Sequence, residues 1–150
     1  MVIRKAKISD VKEIQKMVEV YAQKGEMLQR SLSELYDNLR DFYVYEEEGE
    51  VAGVCALHIS WDDLAEVRSL VVAERHIRKG IGKKLVTACV DEAREFGIKR
   101  VFALTYQRAF FEKLGFHEID KMQLPHKIWG DCVKCSKFPD CDEIAMVMEL

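Results

Sequence analysis

The sequence predicts a mixed α/β (α+β) fold: a mixed central sheet of about six to seven strands flanked by about four helices. Three observations carry this. Residues 66–97 read as a strand, a basic glycine-containing loop and a long amphipathic helix. Short β-rich runs lie on both sides of that unit, bounded by turns or by helical patterns. The order is strand, two helices, three strands, helix, strand, helix, two strands, and no repeat, low-complexity tract or linker divides residues 1–150, so one domain is expected.

Residues 2–7 read as a short strand. Ser9 or Asp10 can cap a helix with apolar positions at Val11, Ile14, Met17, Val18 and Tyr21, and Gly25 ends it. Met27-Leu28-Gln29-Arg30 leads into Ser31-Leu32-Ser33-Glu34, which has capping-box spacing. A second helix runs on through Leu35, Leu39 and Arg40. Residues 42–47 and 51–61 are strands around the hairpin turn Glu48-Gly49-Glu50. The acidic run 46–48 is a solvated strand end. Asp62-Asp63 turns the chain into the central strand, where Val67, Leu70, Val71 and Val72 suit burial. Strict alternation puts Glu66, Arg68, Leu70 and Val72 on one face.

The helix that follows carries Leu85, Val86, Cys89, Val90, Ala93 and Phe96 at a 3.6-residue period, and Gly97 is its C′ residue. Residues 98–106 form the next strand, 110–114 a short helix stopped by Gly115, and 116–119 and 144–150 the last two strands.

Composition narrows the function. Of 150 residues, 49% are hydrophobic and 33% charged, with a net charge of −3, which argues against a nucleic-acid binder. Residues 1–7 lack the apolar core of a signal peptide, and no run reaches the ~18 apolar residues of a membrane span. Five cysteines without a secretion signal are expected to be reduced thiols in the cytoplasm. A homodimer stays open.

The loop before the long helix is built for an anion. Gly80 and Gly82 let a ligand approach the backbone, and the first amides of a helix have no intrahelical partner and sit at the positive end of its dipole. Arg78, Lys79, Lys83 and Lys84 add positive charge, so phosphate is the expected ligand. The loop is neither a P-loop, lacking Gly-Lys-Ser/Thr, nor a dinucleotide fingerprint, lacking the third glycine.

Leu70-Val71-Val72, the loop ending Gly80-Ile81-Gly82-Lys83-Lys84-Leu85, and Phe110-Phe111-Glu112-Lys113-Leu114-Gly115-Phe116 resemble the GCN5-related N-acetyltransferase (GNAT) family over nearly the whole chain. The resemblance implies a GNAT fold with acetyl-CoA as co-substrate. Its pantetheine and pyrophosphate would lie along Leu70, Val71, Val72, Ile77, Arg78, Lys79, Gly80, Ile81, Gly82 and Lys83. Two positions depart from the family. Ile77 stands where Arg or Gln is usual, which leaves backbone phosphate binding intact. Phe111 stands where a tyrosine general acid is usual, so that assignment falls. Tyr106, at the end of the next strand, is a substitute candidate, and packing is its alternative role.

Acetyl transfer to an amine needs a neutral amine, an anchored thioester and an outlet for protons. Glu66 matches the general-base glutamate of some family members; an inert charged pair with Arg68 at a strand end is the alternative. His58 and His76 read as structural. Arg30, Arg68 and Lys127 are candidate cations for an acidic acceptor, because arginine pairs bidentately with carboxylates. The runs 27–31, 35–42, 66–70 and 124–129 resemble the stand-alone acetyltransferase domain of N-acetylglutamate synthases. That implies acetylation of the α-amine of L-glutamate, the first step of arginine biosynthesis. Another small amine or a peptide N-terminus is the alternative acceptor, and a non-catalytic acyl-CoA-binding module is the alternative class.

Cys132, Cys135 and Cys141 give C-x2-C-x5-C, a spacing that suits a zinc knuckle. The fourth ligand would be His126, Asp140, Asp142 or water. A structural zinc is therefore not the favoured reading: free thiols pinning a loop are the alternative, and a redox pair ranks below the metal. Cys55 and Cys89 lie in apolar patterns and belong to the core.

Overall fold

The computed structural model describes residues 2–25, 27, 29–76, 79–125 and 143–150. Seven strands form one sheet in the order β1-β2-β3-β4-β5-β7-β6. They are β1 (Val2–Lys5), β2 (Phe42–Glu47), β3 (Glu50–Trp61), β4 (Leu64–Val72), β5 (Arg100–Thr105), β6 (His117–Ile119) and β7 (Ile144–Glu149). Four helices accompany them: α1 (Val11–Gln23), α2 (Leu32–Asp37), α3 (Ile81–Glu95) and α4 (Arg108–Lys113). All neighbours pair antiparallel except β4 and β5, which are parallel and joined through α3. A parallel pair needs such a crossover.

Most elements follow from their residues. Ser31 caps α2 by accepting from the Glu34 amide, and Glu34 reaches back to the Ser31 amide. Gly97 turns the chain off α3 at φ +81°, where only glycine is unstrained. One cap is used differently from expectation. The Asp10 side chain does not cap α1; it accepts from the Lys7 amide at 2.7 Å and from Arg4 Nη1 at 2.8 Å. Arg4 also reaches Glu46 on β2 at 2.7 Å, so this cluster ties the start of α1 to the sheet edge.

The sheet buries both faces. On one, Ile81, Leu85, Val86, Cys89, Val90 and Ala93 of α3 meet Cys55, Leu57, Ala65, Val67, Val101 and Ala103, and Phe111 of α4 joins them. On the other, Val11, Ile14 and Val18 of α1 and Leu35 of α2 cover Phe42, Val44, Val54, Ala56 and Val71. Burying the three α1 side chains contributes about 2 kcal/mol each. A separate cluster of Leu64, Phe102, Leu124, Ala145 and Val147 packs farther along the sheet. Among the described residues, no helix is long and apolar enough to cross a membrane.

Alternation along β4 is broken. From Val54 to Ala56, β3 advances two residues while β4 passes three, from Val71 to Arg68. The extra residue is a bulge at Ser69, whose φ is +57°. The expectation that Glu66, Arg68, Leu70 and Val72 share a face is therefore corrected. Leu70 and Val72 pack on the α3 side, with Ala65 and Val67, while Glu66 and Arg68 point to the α1/α2 side.

Candidate active site

The site begins where two strands part. β4 and β5 pair at Leu64–Arg100, Ala65–Val101 and Glu66–Phe102, and no further pair joins them among the described residues. Both strands continue, β4 to Val72 and β5 to Thr105. A wedge therefore opens past Glu66. The β4 edge along it, residues 67–72, offers backbone amides and carbonyls without a strand partner on that side. Buried backbone polar groups require partners, so an extended ligand rich in amides fits this edge.

The start of α3 closes the mouth of the wedge. The first backbone bond within this helix runs from the Lys84 amide to Gly80 O at 3.1 Å, leaving the Ile81, Gly82 and Lys83 amides without helical acceptors. The cap residue Gly80 contributes no side chain and holds φ +76°. A Cβ on Gly80 would meet nothing within 4 Å, so glycine is needed there for its backbone angle. Gly82 is needed for space: its Cβ would stand 3.3 Å from Phe110 Cζ and 3.9 Å from Val72 Cγ2. The amides thus lie between the end of β4 and α4. Lys79, Lys83 and Lys84 are exposed around them. Geometry, dipole and charge together suit an anion such as phosphate, which makes this turn a candidate cradle.

Two anchors hold this loop: Tyr21, which sequence reasoning missed, and His76, which it read as structural. Tyr21 Oη donates to Val72 O at 3.1 Å, tying the end of α1 to the end of β4. The only sequence signal was a hydroxyl on an otherwise apolar helical stripe. His76 closes the 3-10 turn Glu74–His76; its Nδ1 lies 2.8 Å from Glu47 Oε2 and its Nε2 accepts from Arg75 Nε at 3.0 Å. Arg75 also pairs with Glu50. The stem of the loop is thereby fastened to the β2–β3 hairpin, and the same side chains line a cleft of about 300 Å³ with Glu48 and Lys79.

The candidate catalytic carboxylate sits at the apex of the wedge. Glu66 is the last β4 residue paired with β5, and its side chain is 12% exposed. Arg68 lies 3.7 Å away, Nη1 to Oε1, and is 14% exposed. On the next strand His58 is the register partner of Glu66, and its Nδ1 contacts Asp41 Oδ2 at 2.7 Å. Arg30 is 10% exposed with Nη1 3.4 Å from Glu34 Oε2, and the flanking Met27 and Leu32 pack on the α1/α2 cluster. Arg30 and Arg68 thus belong to the same side of the sheet. Tyr106 directly follows β5 at the open end of the wedge, half-buried.

Other groups are poor proton carriers. Phe111 is 4% exposed and packs edge-on against Phe110 and Phe116, with both ring centroids at 5.0 Å. Contact with Cys55 and burial push the Cys89 thiol up, and both cysteines are core residues as expected. Burial, reinforced by Glu92, pushes the Tyr43 hydroxyl up to about 12. Ile77, Arg78, Lys127 and the Cys132/Cys135/Cys141 cluster, with His126, Asp140 and Asp142, lie outside the described residues.

Comparison with known proteins agrees with this geometry. The family model described as "Acetyltransferase (GNAT) family" matches residues 9–116. A Chlorobaculum tepidum protein named as an uncharacterized N-acetyltransferase is 43% identical over 148 residues, 99% of this chain and 96% of that one. An amino-acid acetyltransferase of Mycobacterium tuberculosis is 38% identical, over 87% of this chain and 76% of that one. A Mycobacterium tuberculosis crystal structure containing CoA superposes with a TM-score of 0.85 at 31% identity, covering 100% of this chain and 99% of the other. N-acetylglutamate synthase of Neisseria gonorrhoeae, with coenzyme A and N-acetyl-glutamate, gives 0.90 at 26% identity; the match covers 99% of this chain but 35% of that longer one.

Proposed function

The chain belongs to the acetyltransferase (GNAT) family and is an acetyl-CoA-dependent N-acetyltransferase, and from that premise we propose that it acetylates the α-amine of L-glutamate, the reaction that opens arginine biosynthesis. The observation carrying this reading is a pair of arginines, Arg30 and Arg68, 10% and 14% exposed, on the sheet face that also presents Glu66. Glutamate has two carboxylates, and one partly buried guanidinium for each matches their number. The likeness to enzymes named amino-acid acetyltransferase and N-acetylglutamate synthase supports it. Residues 1–150 are read as one such domain.

Acetyl-CoA supplies an acetyl group activated as a thioester. The unpaired β4 edge would hold its pantetheine amides, and the Ile81, Gly82 and Lys83 amides its pyrophosphate. The groove past Glu66 then receives the acceptor. Glu66 takes the ammonium proton through a water, because only the neutral amine is a nucleophile. Arg30 and Arg68 orient the amine toward the thioester, which converts an encounter into a positioned reaction. Tyr106, half-buried at the end of β5, would be the proton donor to the departing sulfur.

The test is to supply acetyl-CoA with each amino acid in turn, with spermidine and with short peptides, and to follow release of the CoA thiol. Glutamate is expected to be used best. Equal use of glutamine or a neutral amino acid overturns the acceptor assignment while leaving acetyl transfer in place.

A further inference from the structure

We propose that Asp41 and His58 form a relay that carries the amine's proton from Glu66 to solvent, an inference that rests on acetyl transfer to an amine with Glu66 as base. His58 Nδ1 donates to Asp41 Oδ2 at 2.7 Å. That bond fixes the ring tautomer and leaves Nε2 as the acceptor. His58 and Glu66 are direct partners on antiparallel β3 and β4, so their side chains leave the same face with Cβ atoms about 5 Å apart. Exposure rises outward from the wedge: Glu66 12%, Arg68 14%, Asp41 24% and His58 36%.

The charged groups facing His58 are Asp41, from the 3-10 turn Leu39–Asp41, and Glu66 and Arg68 from β4; Arg40 on the same turn is exposed. Arg68 stands on the Glu66 side.

The protons balance as follows. An ammonium acceptor loses two protons per turnover, one before attack and one as the N–C bond forms. The C–S bond breaks and the leaving sulfur takes up one proton. The other must leave the protein, or Glu66 stays protonated and cannot serve the next amine. His58 Nε2 takes that proton while Nδ1–H stays on Asp41, then gives it to bulk water. A histidine fits because its ring takes a proton at one nitrogen while the other keeps its hydrogen bond to Asp41.

The experiment compares the full-length wild type with His58→Ala and His58→Asn, using whichever amine the wild type acetylates. Asn keeps a donor where Nδ1 stands, but it cannot take a proton. Both variants are expected to lose at least about 10-fold in kcat, at the low end of proton-transfer effects, with KM for acetyl-CoA unchanged. Added imidazole should restore His58→Ala in a saturable manner, and the pH profile of kcat should change shape in both variants. Wild-type kcat in either variant, or a slow His58→Ala that imidazole does not rescue and whose pH profile keeps its shape, overturns the relay. A wild type that acetylates no amine overturns the function and the relay together; an active wild type with unaffected variants overturns the relay alone.

Discussion

Ser69 decides with one dihedral which face of the sheet two charged side chains use. Its φ of +57° inserts the residue that turns Glu66 and Arg68 away from the apolar α3 side. A left-handed conformation outside glycine costs on the order of 1–3 kcal/mol. Ser69→Gly is therefore expected to be neutral or stabilising in thermal melts. Ser69→Val should lower the melting temperature and reduce kcat more than acetyl-CoA affinity, because a β-branched residue resists this angle and pulls Arg68 out of register. A Val variant with wild-type kcat would show that the bulge is not what places the charges. At the sheet edge, the hydrogen bond from Arg4 holds the Asp10 carboxyl below the usual carboxylate range, against the opposing effect of burial. A lowered folded value stabilises the fold above the unfolded pKa of about 3.9. That contribution is lost as pH falls through the folded value. Asp10→Asn should cost about 2 kcal/mol at neutral pH and flatten the acid limb of stability below about pH 4, as denaturant titrations at several pH values would show.

At the scale of elements, the cradle joins three pieces that arrive from different directions: the end of β4, the first turn of α3 and α4. Gly82 lets Phe110 and Val72 close over that turn, so Gly82→Asp adds bulk against Phe110 and a negative charge beside the phosphate site. Acetyl-CoA binding measured by calorimetry should disappear. Gly80→Ala meets no neighbour, so its effect should be limited to backbone strain of about 1 kcal/mol. Tyr21→Phe removes the bond to Val72 O; it should raise KM for acetyl-CoA severalfold, about 1 kcal/mol, with kcat little changed. Wild-type affinity in Gly82→Asp would remove this turn from the site.

Much of this scale was legible from local signals. The capping box at Ser31 and the glycines at 80 and 82 appear where expected, and the α3 period holds from Leu85 to Ala93; Phe96, expected on the same apolar stripe, follows the helix and is exposed. The bulge was hidden because Leu70, Val71 and Val72 are all apolar, so a slipped phase leaves the pattern unchanged. The parting of β4 and β5 and the Asp41–His58 contact depend on pairing between distant segments, which periodicity does not encode.

At the scale of the whole molecule, the face opposite α3 carries two apolar clusters that do not merge. One centres on α1 and α2, the other on Leu64, Phe102 and Val147. Between them, β3 and β4 present His58, Glu66 and Arg68. A polar seam with an apolar wall on each side suits a small charged substrate: the walls exclude water, and the seam supplies the partners. In such a place a carboxylate without a cation costs more than a surface ion pair gives. Arg30 and Arg68 are therefore expected to take one carboxylate of glutamate each. Arg30→Ala or Arg68→Ala should raise KM for glutamate by about 10²-fold or more, the scale of a lost buried charge pair of about 2–5 kcal/mol. KM for acetyl-CoA should stay near its wild-type value, since the proposed phosphate site lies at the far end of the wedge. Arg→Lys should rescue poorly, because an ammonium lacks the planar fork. Arg68→Ala should in addition change the pH dependence of kcat, because Arg68 Nη1 lies 3.7 Å from Glu66 Oε1. Steady-state kinetics of the four variants across pH tests both parts. Unchanged glutamate KM in both alanine variants would free the seam from any role in choosing the acceptor.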